Sequence, residues 1–218
     1  MRPTVTIIDY GVGNLFSVAR AFEVCGANVV FASNAKEIAV ATHLVLPGVG
    51  AFECGMLGLK DRDLIRAIID HATAEKPLIG ICLGMQMLAT VSEEFGEHQG
   101  LNLIPGRVLA LPARTVGGSQ QKIPRIGWAG LYKNSGSNWD KTPLARVEEG
   151  NEVYLVHSYA VQRCDPSHVL AISSYGGHAV TTVIQSGAVI GCQFHPEKSG
   201  PVGLKILSSF LEIGNTIL

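Results

Sequence analysis

Short, continuously apolar runs alternate with helix-spaced segments through the first half of the chain, and that alternation leaves few folds open. Val5-Thr6-Ile7-Ile8-Asp9 is the first run and ends in a glycine-rich turn. Leu15 to Cys25 follows, with Leu15, Val18, Ala19 and Phe22 at helical spacing. Asn28 to Ala32 and His43 to Leu46 are the next strand-like runs, the second closed by Pro47-Gly48. Asp61 to Ala74 predicts a helix with Leu64, Ile65, Ile68 and Ile69 on one face and Asp61 as its N-cap. Pro77 to Ile81 is a fourth apolar run. Strands without polar alternation are buried on both faces, and helices between them make the sheet parallel.

The second half changes character. Val153 to Val156, Val169 to Ser174, Ala179 to Gln185 and Ala188 to Phe194 read as strands with little helix between them, and Ser186-Gly187 reads as a hairpin turn. Gly200 to Ile213 predicts a final helix, capped by Ser199 and with Pro201 in its first turn. Ala113 to Leu144, rich in Gly, Ser, Asn and Pro, reads as loops. The expected architecture is α/β. It is a single domain over residues 1–218, with a mostly parallel central sheet flanked by helices and antiparallel additions in the C-terminal half.

Composition narrows the function. Lys plus Arg number 17 against 18 Asp plus Glu, a net charge of −1 that argues against nucleic acid or an anionic membrane as partner. Hydrophobic residues at 47% and charged residues at 16% exclude intrinsic disorder. Mean hydropathy is +0.27, yet no apolar run reaches the ~18 residues that span a bilayer. Leu78 to Ala89 is broken by Gly80, Gly84 and Gln86. The N-terminal apolar stretch is too short for a signal peptide, so a cytoplasmic setting is expected. Cys25, Cys54, Cys82, Cys164 and Cys192 show no zinc-type spacing, and reduced thiols with no metal are expected. Gly11-Val12-Gly13 imitates a dinucleotide fingerprint, but Phe16 stands where its third glycine belongs, so no nucleotide cofactor is expected.

Gly80-Ile81-Cys82-Leu83-Gly84 carries the strongest chemical signal. It joins an apolar strand to a helix-compatible segment, the thiol version of the nucleophile elbow. Such a turn strains the nucleophile's backbone and aims helical N–H groups at the site, which favours a thiolate. The competing reading is a buried structural cysteine, the commoner fate of free Cys. A thiolate needs a proton acceptor and a group to orient it. His195 and Glu197, two apart at a strand end, offer both on one face. His43, His71, His98, His168 and His178 lack such companions and read as structural or exposed. Leu46-Pro47-Gly48-Val49-Gly50 ends a neighbouring strand and suits an oxyanion hole, with the N–H of Leu83 as a second donor. A plain Pro/Gly-punctuated loop is the alternative there.

These motifs resemble class I glutamine amidotransferases, and within them the glutaminase subunits of imidazole glycerol phosphate synthases. Ile8 to Asn14, Pro47 to Phe52, Leu103 to Gly106, Ile126-Gly127-Trp128 and Val156 to Tyr159 extend the resemblance over essentially the whole chain. It implies that Cys82 attacks glutamine to give a thioester, that His195 moves the protons, and that Glu197 holds the imidazole. It assigns Val49, Gly50 and Leu83 to the oxyanion hole, and Gln86, His157, Ser158 and Tyr159 to the glutamine pocket. It implies a heterodimer with a (β/α)8 cyclase that receives ammonia in histidine biosynthesis. Arg125 and Ala129 replace His and Asn of the family pattern, and Tyr175-Gly176-Gly177-His178 is compact. Both features resemble paralogues that feed a surface-polysaccharide sugar amidotransferase, the alternative destination for the ammonia. A non-catalytic glutamine-sensing protein is a further alternative, disfavoured by the intact Cys82, His195 and Glu197.

Overall fold

A computed structural model describes residues 2–214. The first half runs β1 (Thr4–Ile8), α1 (Leu15–Val24), β2 (Asn28–Ala32), α2 (Ala35–Ala39), β3 (His43–Gly48), α3 (Phe52–Lys60), α4 (Ile65–Thr73), β4 (Leu78–Cys82) and α5 (Leu83–Met87). Short strands β5 (Val91–Ser92), β6 (His98–Gln99), β7 (Arg107–Ala110), β8 (Arg125–Gly130) and β9 (Tyr132–Lys133) follow. The rest is β10 (Glu152–His157), β11 (Tyr159–Gln162), β12 (Val169–Tyr175), β13 (His178–Ser186), β14 (Val189–Cys192) and α6 (Gly200–Glu212).

The central eight-stranded sheet has the order β2-β1-β3-β4-β14-β13-β12-β9. β2, β1, β3, β4 and β14 are mutually parallel, and β13, β12 and β9 are added antiparallel. Apolar strand residues alternate between two cores. Val5, Ile7, Val45, Ile79 and Ile81 join the layer of Phe22 and Phe210 from α1 and α6. Ile8, Leu44, Leu46 and Leu78 join that of Phe52, Leu59 and Ile68 from α3 and α4. Burial on both faces is why these strands read as unbroken apolar runs.

Three expectations need correction. The helix expected over Asp61 to Ala74 is only α4; Asp61 instead ends α3, donating its N–H to the Leu57 carbonyl at 2.8 Å. Asp63 takes φ 53° and breaks the chain between the two helices. α3 itself was hidden because Gly55 and Gly58 are poor helix formers, and burial of Phe52 and Leu59 outweighs that. Ser199 holds the N-cap position of α6, but its hydroxyl makes no cap bond: it donates to the His195 carbonyl at 2.7 Å and accepts from Tyr154 N–H at 3.0 Å. The region from Ala113 to Leu144 contains β8 and β9, and β8 pairs antiparallel with β10 from Arg125↔His157 to Gly130↔Glu152. The Ser186-Gly187 hairpin turn joins β13 to β14, with Gly187 at φ 56°.

Candidate active site

The site forms where β3, β4 and β14 end side by side. Cys82 closes β4 at φ 54°, ψ −108°, a conformation that a side chain adopts only at a cost, and Leu83 opens α5 on the next residue. The flanking glycines exist for space. A Cβ at Gly80 would lie 2.6 Å from the carbonyl oxygen of Gly84, and one at Gly84 would overlap the carbonyl of Leu46. The elbow therefore folds tightly against β3, which carries the Pro47-to-Gly50 segment alongside the thiol.

His195 and Glu197 meet by a different route from the one expected. β14 ends at Cys192, and His195 immediately precedes a short 3-10 turn, Pro196–Lys198, that contains Glu197. That turn, not strand alternation, brings His195 Nδ1–H to Glu197 Oε1 at 2.8 Å. Both side chains are almost wholly buried. Burial alone would depress the imidazole, but its hydrogen bonds to Cys82 and Glu197, and their charges, outweigh that and push it up to about 9. The shift favours the imidazolium at neutral pH.

Val49, Gly50, Cys82, Leu83, Gln86, Glu94, Val156, His157, Ser158, Tyr159 and His195 line one cavity of about 230 Å³. That volume is below the ~300–1,000 Å³ of drug-sized sites and suits a small substrate. A larger open groove of about 440 Å³ lies between α1 and α6, on the far side of the Glu197 turn, and contains neither Cys82 nor His195. The five histidines read as structural or exposed stay out of the cavity; His43 and His71 bond backbone carbonyls of Ile213 and Pro77.

Three polar residues of the site were missed in the sequence. Gln193, fully buried, places Nε2 3.8 Å from Cys82 Sγ. Its Oε1 accepts from Gln86 Nε2 at 3.1 Å, and that same nitrogen donates to Tyr159 O at 2.9 Å. Gln193 lies two residues before His195, a spacing that could have flagged it. Glu94 reaches the cavity wall from a stretch that reads as ordinary acidic surface, and its Oε2 accepts from Phe52 N–H at 2.7 Å. Tyr10 donates its hydroxyl to Pro47 O at 2.7 Å, bracing the strand beside the thiol. Burial, then the charge of Cys82, raises the Tyr10 phenol above its usual range.

Arg125, which departs from the family pattern, turns inward. It is 4% exposed, donates to Ser173 Oγ at 2.8 Å and Ser174 O at 3.1 Å, and lies over the Tyr175 ring. Ala129 also packs against the core. Ile126 and Trp128, between them in β8, present the exposed apolar face. The compact Tyr175-to-His178 stretch is the β12–β13 turn, with Gly176 and Gly177 both at positive φ.

Residues 6–213 match the family model of glutamine amidotransferase class-I. The chain is 49% identical over 211 residues to a Legionella pneumophila (strain Paris) protein named imidazole glycerol phosphate synthase subunit HisH 1, covering 96% of this chain and 99% of that one. A Geobacillus kaustophilus protein named imidazole glycerol phosphate synthase subunit HisH is 44% identical over 212 residues, with 96% of each chain covered. Among solved structures, that of PurLQS from Thermotoga maritima superposes with TM-score 0.71 at 19% identity, covering 97% of this chain and 99% of that one; the likeness is one of fold.

Proposed function

The chain belongs to the class-I glutamine amidotransferase family, and on that premise we propose that it is the glutaminase subunit of an imidazole glycerol phosphate synthase. The observation that carries this reading is a cysteine at a strained strand-to-helix elbow sharing a small cavity with a buried His–Glu pair.

The chemistry follows from the charges. The Cys82 thiolate attacks the glutamine carboxamide carbon, and the oxyanion takes N–H bonds from Leu83 and from Val49 or Gly50. The C–N bond breaks as the His195 imidazolium gives its proton to the departing nitrogen, releasing ammonia and leaving a thioester. Water then attacks the thioester carbon and gives a proton to His195. The C–S bond breaks, so glutamate leaves and Cys82 returns. Glu197 holds the imidazole tautomer throughout. Glu94 supplies a carboxylate for the α-ammonium of glutamine, with Gln86, Ser158 and Tyr159 shaping the remaining wall.

β8 and β10 support a destination for the ammonia. Trp128 packs edge-on to Tyr154, with ring centroids 5.9 Å apart, and Ile126 and Trp128 are each more than half exposed. Val156, two residues after Tyr154 in β10, lines the catalytic cavity. One ribbon thus links the cavity to an exposed apolar face. There a (β/α)8 cyclase subunit would dock, forming a heterodimer and receiving ammonia without passage through bulk water. All five cysteines are free thiols, which suits the cytoplasm.

The test is glutamine hydrolysis by the full chain with and without its cyclase and that enzyme's ribonucleotide ligand. Cys82→Ala abolishes hydrolysis, and the cyclase with its ligand stimulates the parent chain. Retained hydrolysis in Cys82→Ala overturns the mechanism. Stimulation by a sugar amidotransferase instead of the cyclase overturns the partner.

A further inference from the structure

His157 stands out among the cavity residues because one of its ring nitrogens has no partner. It ends β10, beside Val156, whose carbonyl oxygen lies 3.9 Å from Cys82 Sγ, and it is among the residues lining the same cavity as Cys82 and His195. Its side chain is 95% buried by exposure of the residue (5% exposed). Nδ1 lies 2.9 Å from the Tyr159 carbonyl oxygen. A carbonyl can only accept, so Nδ1 carries the proton and Nε2 carries the lone pair. Nε2 is buried and meets no donor among the described residues. Buried polar atoms are nearly always satisfied, and an exception at a cavity wall points to a ligand.

We propose that His157 Nε2 accepts a hydrogen bond from the carboxamide N–H of the substrate, and so tells the substrate's amide end from the product's acid end. This rests on the glutaminase reading of the cavity and adds a selectivity to it. A carboxamide offers two N–H donors to a lone pair; a carboxylate offers none and opposes it with lone pairs of its own. The departing ammonia keeps N–H donors for the same acceptor, whereas glutamate, once formed, loses this contact and is released. A site built to hydrogen-bond one group rejects the analogue that lacks it far more strongly than a site that merely fits shape.

The surroundings keep the ring an acceptor. Arg125 pairs with His157 across the β8–β10 ladder, but its hydrogen bonds from Nη1 and Nη2 go to Ser173 and Ser174. Burial, with the positive charges of Arg125 and His195 added to it, holds the His157 imidazole down at about 4 against the pull of its bond to Tyr159. Two histidines of one cavity are thus pushed in opposite directions, one to give protons and one to stay neutral, a division by environment that assigns acid and acceptor.

Calorimetric binding of glutamine and of glutamate to the full chain carrying Cys82→Ala tests this without turnover. The Cys82→Ala chain prefers glutamine. Adding His157→Leu lowers the glutamine-to-glutamate affinity ratio by about tenfold or more, and adding His157→Gln, whose amide can donate to a carboxylate, lowers it further. An unchanged ratio in both folded double variants overturns the inference and leaves the glutaminase reading standing. Failure of the Cys82→Ala chain itself to bind glutamine overturns that reading and the inference with it. Should the double variants not fold, the ring 15N signal of His157 in the Cys82→Ala chain decides. Glutamine moves the unprotonated nitrogen upfield and glutamate does not, and no movement with bound glutamine overturns the proposal.

Discussion

Gly84 packs against the Leu46 carbonyl so closely that a Cβ at this position would overlap its oxygen. The contact joins the first turn of α5 to β3, the strand that leads into Val49 and Gly50. The elbow and the oxyanion segment are therefore held together through backbone. Gly84→Ala is expected to destabilise the fold by about 3 kcal/mol or more, because backbone must move on one side. Thermal unfolding checks it: a Tm within about 2 °C of the parent would show that the strands part easily.

Glu197 acts through His195, its partner at 2.8 Å. Glu197→Gln keeps the shape but can present an N–H to Nδ1, favouring the wrong tautomer. The expected loss in kcat for glutamine hydrolysis is about 10²–10⁴-fold, with the fold intact by circular dichroism. A loss of less than about threefold would mean that Cys82 and His195 suffice.

Stability should peak near pH 6.5 and fall on both sides. The folded His195 holds a proton up to about 9 that the unfolded chain loses near 6.5, so its contribution is complete below 6.5 and disappears as pH rises through 9. His157 is the opposite case. Folded, it resists protonation down to about 4, so its contribution is complete above 6.5 and is lost as pH falls toward 4. His43 and His71, also depressed, chiefly by burial, steepen the acid limb. Each group alone changes stability by up to about 1.4 kcal/mol per pH unit in its window. Urea denaturation at pH 5, 6.5 and 8 reads both limbs, and a flat profile would contradict both assignments.

Glu94→Gln separates substrate grip from strand support. The amide oxygen can still accept the Phe52 N–H, but the charge facing the substrate's α-ammonium is gone. KM for glutamine is expected to rise about 10–100-fold with kcat changed much less. Steady-state kinetics at saturating glutamine check the split, and an unchanged KM would remove Glu94 from head-group recognition.

Trp128→Asp places a charge on the exposed apolar ribbon without touching the triad. Glutamine hydrolysis by the chain alone should stay within about twofold, whereas affinity for the cyclase falls at least about tenfold. Association measured by calorimetry, with unchanged affinity, would place the partner on another face.

Much of this was written locally. Val5 to Ile8 and Pro77 to Ile81 announce doubly buried strands because no polar residue interrupts them. The Gly-x-Cys-x-Gly turn and the His-x-Glu pair carry their chemistry in a handful of neighbouring residues. What depended on distant segments was not readable. β8 looked like loop because its Gly127 and Gly130 have weak strand preference, and its identity comes from pairing with β10 some two dozen residues later.

The linear chain thus determined the mostly parallel α/β sheet and the Gly-x-Cys-x-Gly and His-x-Glu motifs that the proposed chemistry rests on, since each follows from local periodicity or steric need. Tertiary structure alone decided that Glu94 reaches the cavity wall, that Gln193 lies behind it against Cys82 and Gln86, that Arg125 turns inward, and that the two histidines diverge. Burial and long-range hydrogen bonds set a side chain's protonation and partners, and neither is a property of its sequence neighbours.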